Sequence, residues 1–493
     1  MHRGLAVVAV LAALFSVLMD SGTAAAEETP SCTITVQPGE SIQAAIDAAP
    51  EGALICLASG EWQENLTISK SLTIRSQGTL APWISGQEED VPAISIYSRG
   101  EEEVVVSLSG LAETGNELDS GTGLNVAGNV KAIVTNCEFL ENGACGISLQ
   151  DSAQATITNC EILGNSAAGI SLSGGAQATI TDCDVSLNST GIELLDSAQA
   201  SITGCTVSDN TWNGVMLWDS AQGVVERCYL SENAPGGIVL LGAQGTIIDC
   251  TVGWNALAGI VAQFESQVVI TDCYVGGNAL DKQDGQAGII LSGSTKATIT
   301  GCVVAWNRKT GIWVRGSAQP TIADCTVSNN AGNGVLLEGW LWSEATATIV
   351  GCTISGNWDT GIELWDWATA TIDVCTVSEN WGTGIELSDS ARATIIDCAV
   401  CENTGAGVTI LHSAQAAVEG TTILRNGTYG IASGVNPCSP DFLLSSVFTG
   451  RVIGRWNTIP GPDEPNGNKL GAAWPDELSF LMTEEGGELD QRE

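Results

Sequence analysis

The chain has 493 residues, with 57 acidic against 17 basic side chains, two histidines and a formal net charge of −40. So acidic a chain offers no basic face to nucleic acid, which excludes nucleic-acid binding. It would also repel polyanions such as pectate or alginate unless calcium bridged them.

Residues 1–26 read as a secretory signal. His2 and Arg3 give a short positive start, Leu5 to Leu18 an apolar stretch, and Ala24, Ala25 and Ala26 a small-residue cleavage site. The apolar run is short for a membrane span, and no later segment resembles one. The expected mature protein begins near Glu27 and leaves the cytoplasm, as a secreted, extracellular or periplasmic chain. Residues 27–70 form an N-terminal cap and first coils. Within them Ser41 is placed to N-cap a helix whose Ile42, Ala45, Ile46 and Ala49 share one apolar face. Cys32 and Cys56 flank that helix and are the one candidate pair for a bridge, which the sequence leaves open. Residues 71–122 are the least regular and are expected to hold two or three degenerate coils, with an acidic loop near 87–90.

From residue 123 the chain repeats itself. Asparagine recurs at 142, 165, 188, 210, 233, 255, 278, 307, 330, 357, 380, 403 and 426, and ten of the twelve steps are 22 or 23 residues. Five residues before each stands a cysteine, from Cys137 to Cys398, replaced by Thr421 in the last copy. Gly-Ile or Gly-Val follows each asparagine, from Gly146-Ile147 to Gly430-Ile431. Inside a copy such as 146–165, GISLQDSAQATITNCEILGN, apolar and polar residues alternate with the period of a strand. Three short strands in about 23 residues leave no room for hairpins, so each copy is expected to make one triangular turn and stack in register on the next. Ile147, Ile170, Ile192 and their successors then form one inward stack. The cysteines form another, as buried thiols rather than disulfides or a metal site. The asparagines form an internal ladder, since an amide donates to one coil while accepting from its neighbour. These repeats extend to residue 436. Residues 437–493 are expected to be a C-terminal cap and an acidic, irregular tail.

The repeat resembles the right-handed parallel β-helix proteins of the pectin-lyase-like superfamily. The likeness is strongest to bacterial proteins built from such "N…GI.L…I..C.I..N" coils, the group that includes the periplasmic NosD-like proteins. TITVQPGESIQAAIDAA, at 33–49, followed by GALICLASGEWQENLTISKSLTI, is similar to that superfamily's N-terminal strand, capping helix and first coils. The resemblance covers roughly 33–435. It implies an all-β, right-handed, single-stranded parallel β-helix (a solenoid) with an N-terminal capping helix. It is specific for fold and not for function, because lyases, hydrolases, epimerases, adhesins and binding proteins share the scaffold.

Interior columns carry the fold, so a site must lie on outward positions. The outward column after Gly-Ile runs Ser148, Ser171, Glu193, Met216, Val239, Val261, Ile290, Trp313, Leu336, Glu363 and Glu386. It is expected to present an exposed apolar strip flanked by carboxylates. Two long insertions, at 279–287 and 339–345, fall on opposite edges of that face and are expected to wall a cleft over Trp313, Arg315, Leu336 and Glu338. Trp218, Trp313, Trp340, Trp342 and Trp365 are the ligand-binding candidates, because indoles stack on sugar rings while acids bond hydroxyls. The plainer reading is that the tryptophans pack against loops and neighbouring coils. Glu338, Glu363, Glu386 and Arg315 are the catalytic candidates. The Glu363 and Glu386 carboxylates share a column at about the spacing of a retaining glycosidase pair. Glu363, Asp366, Glu386 and Asp389 are weak candidates for calcium, the one cofactor considered. The runs that polygalacturonase-like members and alginate epimerases carry are missing. Copper delivery, implied by the NosD likeness, has thin support in Met216 alone. The reading is a scaffold that binds a polysaccharide or cell-surface glycan without catalysis. A polysaccharide lyase or glycoside hydrolase, or a purely structural envelope component, are the alternatives. The sequence does not define the oligomeric state.

Overall fold

The computed structural model describes residues 31–434, apart from 89, 115–120, 282–285 and 340–342. The expected signal peptide (1–26) and the C-terminal cap and tail (437–493) lie outside the described residues. The chain winds into a parallel β-solenoid with three faces. The first sheet has 17 strands, from Ile34–Val36 to Gln415–Glu419. The second has 16, from Glu61–Gln63 to Thr422–Leu424, and the third has 16, from Leu66–Ile68 to Ile431–Gly434. At ~4.8 Å per coil the described stack is roughly 77 Å long.

Every coil pairs with its neighbours in parallel and in register, so identical positions superpose. Ile147 lies beside Ile170, and Ile170 beside Ile192. The two less regular coils, 72–97 and 104–127, join the same three sheets. The aliphatic column after each Gly, from Ile147 to Val408, is fully buried, and so are the twelve repeat cysteines. Their thiols are free, and each donates to a backbone carbonyl, as Cys160 Sγ does to Thr158 O at 3.3 Å. Cys32 and Cys56 form the disulfide, with Cα atoms 5.8 Å apart.

The asparagine column is the expected ladder. Asn142, Asn165 and the eleven that follow are at most 2% exposed. Asn307 Oδ1 accepts from both the backbone N–H and the Nδ2 of Asn278, at 3.0 Å each. Asn307 in turn donates from N and Nδ2 to Asn330 Oδ1, and from Nδ2 to Val275 O. The ladder starts on the buried Glu113, whose carboxylate accepts from Asn142 Nδ2 at 2.9 Å. Each residue just before a ladder asparagine, from Glu141 to Arg425, has positive φ. One residue in that region bends the strand sharply without a loop. Glycine is needed four residues after the asparagine: a Cβ on Gly311 would lie 2.6 Å from Gly334 O and 2.7 Å from Val327 Cγ1.

One end of the stack is covered as expected. Helix α1 (Ile42–Ala48) is N-capped by Ser41, whose Oγ accepts from Ala44 N. Glu64 reaches its first turn from the second coil, accepting from Ser41 Oγ, Ile42 N and Gln43 N. A carboxylate there answers the unpaired N–H groups and the positive helix end. Ile42 and Ile46 join the core.

Candidate functional site

The third sheet carries the residues singled out above, and the structure corrects their exposure. The outward strip is not an open apolar platform. Met216, Val239 and Ile290 are buried, Ile290 to 3% exposure. Ile290 packs with Ala258 and Ala287 of the preceding corner, and Val261 and Trp313 lean on them as a small second core. Residues of the corner and of neighbouring coils thus cover the strip around Ile290, which period-two patterning cannot register. Trp313 is therefore half-buried. The Arg315 guanidinium lies over its ring, 4.6 Å from the centroid. Trp218 and Trp365 remain exposed. Trp340 and Trp342 lie outside the described residues, as do 282–285, so the expected cleft walls are not described. The insertions do stand at opposite edges of the third sheet, after Tyr274–Gly276 and after Val335–Glu338.

Further along this face the carboxylates come together. Glu363 and Glu386 are register partners on adjacent strands. Glu363 is half-buried and accepts from Asn333 Nδ2 at 2.6 Å. Burial, followed by the charge of Glu386, pushes its carboxyl up to about 7, against the Asn333 hydrogen bond that pulls it down. Asp359 on the preceding corner adds repulsion. Glu386 is raised too, chiefly by burial. Glu338 lies between Arg315 and Trp365 in the register, yet among the described residues it forms no ion pair with Arg315. Asp366 and Asp389 sit at the next corner with positive φ. No group of three or more His, Cys, Asp or Glu able to hold a metal occurs among the described residues, so Glu363, Asp366, Glu386 and Asp389 are not gathered into one.

Beside this cluster stand two indoles that are not among the ligand-binding candidates named above. Trp358 and Trp381 each follow a ladder asparagine. Their rings stack at 5.5 Å between centroids with planes 10° apart, although both are well exposed. In-register coils make such a pair legible in retrospect, since equal offsets from the asparagine superpose. On the second sheet and its corner, Tyr229, Trp254, Tyr274 and Trp306 are also exposed.

Sequence patterning gave no sign of a groove on the first sheet. A groove of about 1070 Å³ runs along the first sheet from Lys131 to Thr321. Its floor is two outward columns. One is Gln154, Gln177, Gln199, Gln222, Gln244, Gln267, Lys296 and Gln319. The other carries hydroxyls at six positions and valine at two, Val224 and Val269, from Thr156 to Thr321. No carboxylate or histidine lines it, although the chain is strongly acidic. The signal was the recurring QATIT, whose polar members look like ordinary solvent-facing positions.

The geometry defines a rod: a parallel β-solenoid whose interior is spent on folding and whose outer faces alone are free to recognise ligands. Residues 122–242, 236–339 and 287–438 match the family described as right-handed beta helix region, and the chain belongs to that family. No curated protein matches it in sequence. Among solved structures it is similar to the pectate lyase Pel9A, at 16% identity over 55% of this chain and 78% of that one, with a TM-score of 0.36. The periplasmic alginate epimerase AlgG aligns at 13% identity over 85% and 83%, with a TM-score of 0.30. The Dettilon tailspike protein aligns at 14% identity over 80% and 64%, with a TM-score of 0.36. These likenesses concern the fold alone. Among the described residues no helix is long and apolar enough to cross a membrane.

Proposed function

We propose that this chain is an exported, glycan-binding rod that holds a neutral polysaccharide along its first sheet. The observation that carries the reading is the groove's lining: a file of glutamines and hydroxyls, free of carboxylates, on an otherwise acidic molecule. Each amide both donates and accepts, which suits sugar hydroxyls. The rungs repeat every ~4.8 Å, on the order of one sugar ring. The two lysines, Lys131 and Lys296, do not offset the surrounding negative charge, which disfavours anionic chains. The leader-like residues 1–26 support export.

Affinity electrophoresis of the mature protein in gels of neutral polysaccharides tests this. The triple variant Gln199→Ala, Gln222→Ala, Gln244→Ala is expected to lose retardation by about tenfold in affinity, the equivalent of ~1.4 kcal/mol. Loss instead on replacing Trp313 and Trp365 by alanine would move the site to the third sheet. One observation favours a second reading, a polysaccharide-cleaving enzyme: the Glu363 carboxyl is raised to about 7 beside Glu386. That is how an acid and its partner are kept apart in protonation, with Glu338 and Arg315 nearest along the same face. Release of reducing or unsaturated ends, abolished by Glu363→Gln, would establish it.

A further inference from the structure

We propose that the ridge formed by Trp358 and Trp381, with Asp359, Glu363 and Glu386 beside it, is a second binding site that takes a cationic amino-sugar chain of the β-linked glucosamine type. It is separate from the neutral-chain groove of the first sheet and does not rest on it.

Two independent observations converge on that chemistry. The first is the indole pair. Trp358 and Trp381 are 58% and 64% exposed, and their rings stack on one another. Exposed large aromatic surface of this kind is expensive to leave in water, and flat indole faces suit the apolar face of a sugar ring. Trp365, 46% exposed, lies two residues beyond Glu363 on the same outward face.

The second observation is charge. Asp359 directly follows Trp358, and it repels Glu363 and Glu386, which are themselves register neighbours. Among the described residues the ion pairs are Arg227 with Glu226, His412 with Asp389 and Arg425 with Glu402, so none neutralises these three carboxylates. A neutral sugar would leave that repulsion in place. A ring bearing an ammonium group relieves it and gains attraction to the indole faces as well. Burial and like charge already hold the Glu363 carboxyl up to about 7, the state that a bound cation would reverse.

Calorimetry on the full mature chain with a glucosamine hexamer tests the site against two controls. The N-acetylated hexamer keeps the rings and loses the charge, whereas spermine keeps the charge and loses the rings. The glucosamine hexamer is expected to bind at least about tenfold more tightly than either. The double variants Trp358→Ala/Trp381→Ala and Glu363→Gln/Glu386→Gln are each expected to lose about tenfold. The first-sheet triple glutamine variant should bind the hexamer unchanged, so failure of one site is distinguishable from failure of the other. Since both indoles are exposed, the tryptophan variant should keep the parent's circular dichroism. Trp358→Phe/Trp381→Phe, which keeps aromatic faces, should retain most of the binding. Equal affinity for the acetylated hexamer or for spermine would overturn the proposal. So would full binding without the tryptophans, or a self-association in sedimentation that disappears in the tryptophan variant.

Discussion

Val374 sits where the chain turns from the first sheet to the second, with φ at 52° and its side chain 58% exposed. The same corner in other coils holds residues that tolerate this conformation, among them Asn159, Asp182, Asp272, Gly301 and Gly351. For a β-branched side chain, positive φ brings Cβ against the following carbonyl and costs roughly 1–2 kcal/mol. Since the side chain packs little, Val374→Asn is expected to raise stability by about 1 kcal/mol in urea unfolding. At the same scale, Glu363 gives a pH signature. Its native carboxyl is raised from an ordinary 4.5 to about 7 by burial and then by Glu386, with Asp359 adding to the repulsion and Asn333 and Trp365 opposing it. The folded state therefore holds the proton more tightly than the unfolded one. That contribution is fully present below the ordinary carboxylate range and is lost as pH rises toward about 7. The thermal midpoint of the parent protein should fall across that window more steeply than that of Glu363→Gln. Parallel curves would remove Glu363 as the cause.

The asparagine ladder is the element that holds coil to coil at the second corner. Removing one rung strands groups on both sides. In Asn307→Ala, the N–H and Nδ2 of Asn278 lose their acceptor, Val275 O loses its side-chain donor, and Asn330 Oδ1 keeps only the backbone N–H of residue 307. Each buried group left unpaired costs about 1–3 kcal/mol, so the variant should lose roughly 3 kcal/mol or more. An exposed substitution such as Thr298→Ala should lose far less. The cysteine column tolerates replacement better, as Thr421 shows. Fully buried in the thirteenth position, its hydroxyl accepts from Cys398 N and donates to Glu419 O, within a column otherwise made of thiols. Both ladders were legible in the sequence, because a residue repeated at one offset in every copy must superpose once the copies stack. The helix cap was legible for a local reason: Ser41 and the apolar face behind it act within one turn. The groove was not. Glutamines at 154, 177, 199 and 222 repeat at one offset as the asparagines do, but an outward polar column has no distinctive pattern of its own until the sheet it stands on is seen to be uncovered.

At the scale of the whole molecule the solenoid behaves as a one-dimensional stack, in which each coil contacts chiefly its two neighbours. Deleting one complete repeat, residues 166–188, should rejoin Asn165 to Ser189 with every column intact. The shortened protein should keep its β-sheet circular dichroism and a cooperative melt, whereas removing 166–176 alone should abolish both. Sequence by itself determined the three-sided coil, its register, the buried thiol and amide columns and the pairing of Glu363 with Glu386, because all of these follow from periodicity. Only the tertiary structure decided what the outer faces offer. It buried Met216, Val239 and Ile290, the last beneath Ala258 and Ala287, stacked Trp358 on Trp381, and opened the glutamine floor of the first sheet. Alternation along a strand tells which side of a sheet a residue takes. Whether that side meets water depends on how corners fold back over it, and that is fixed by packing between residues remote in the repeat.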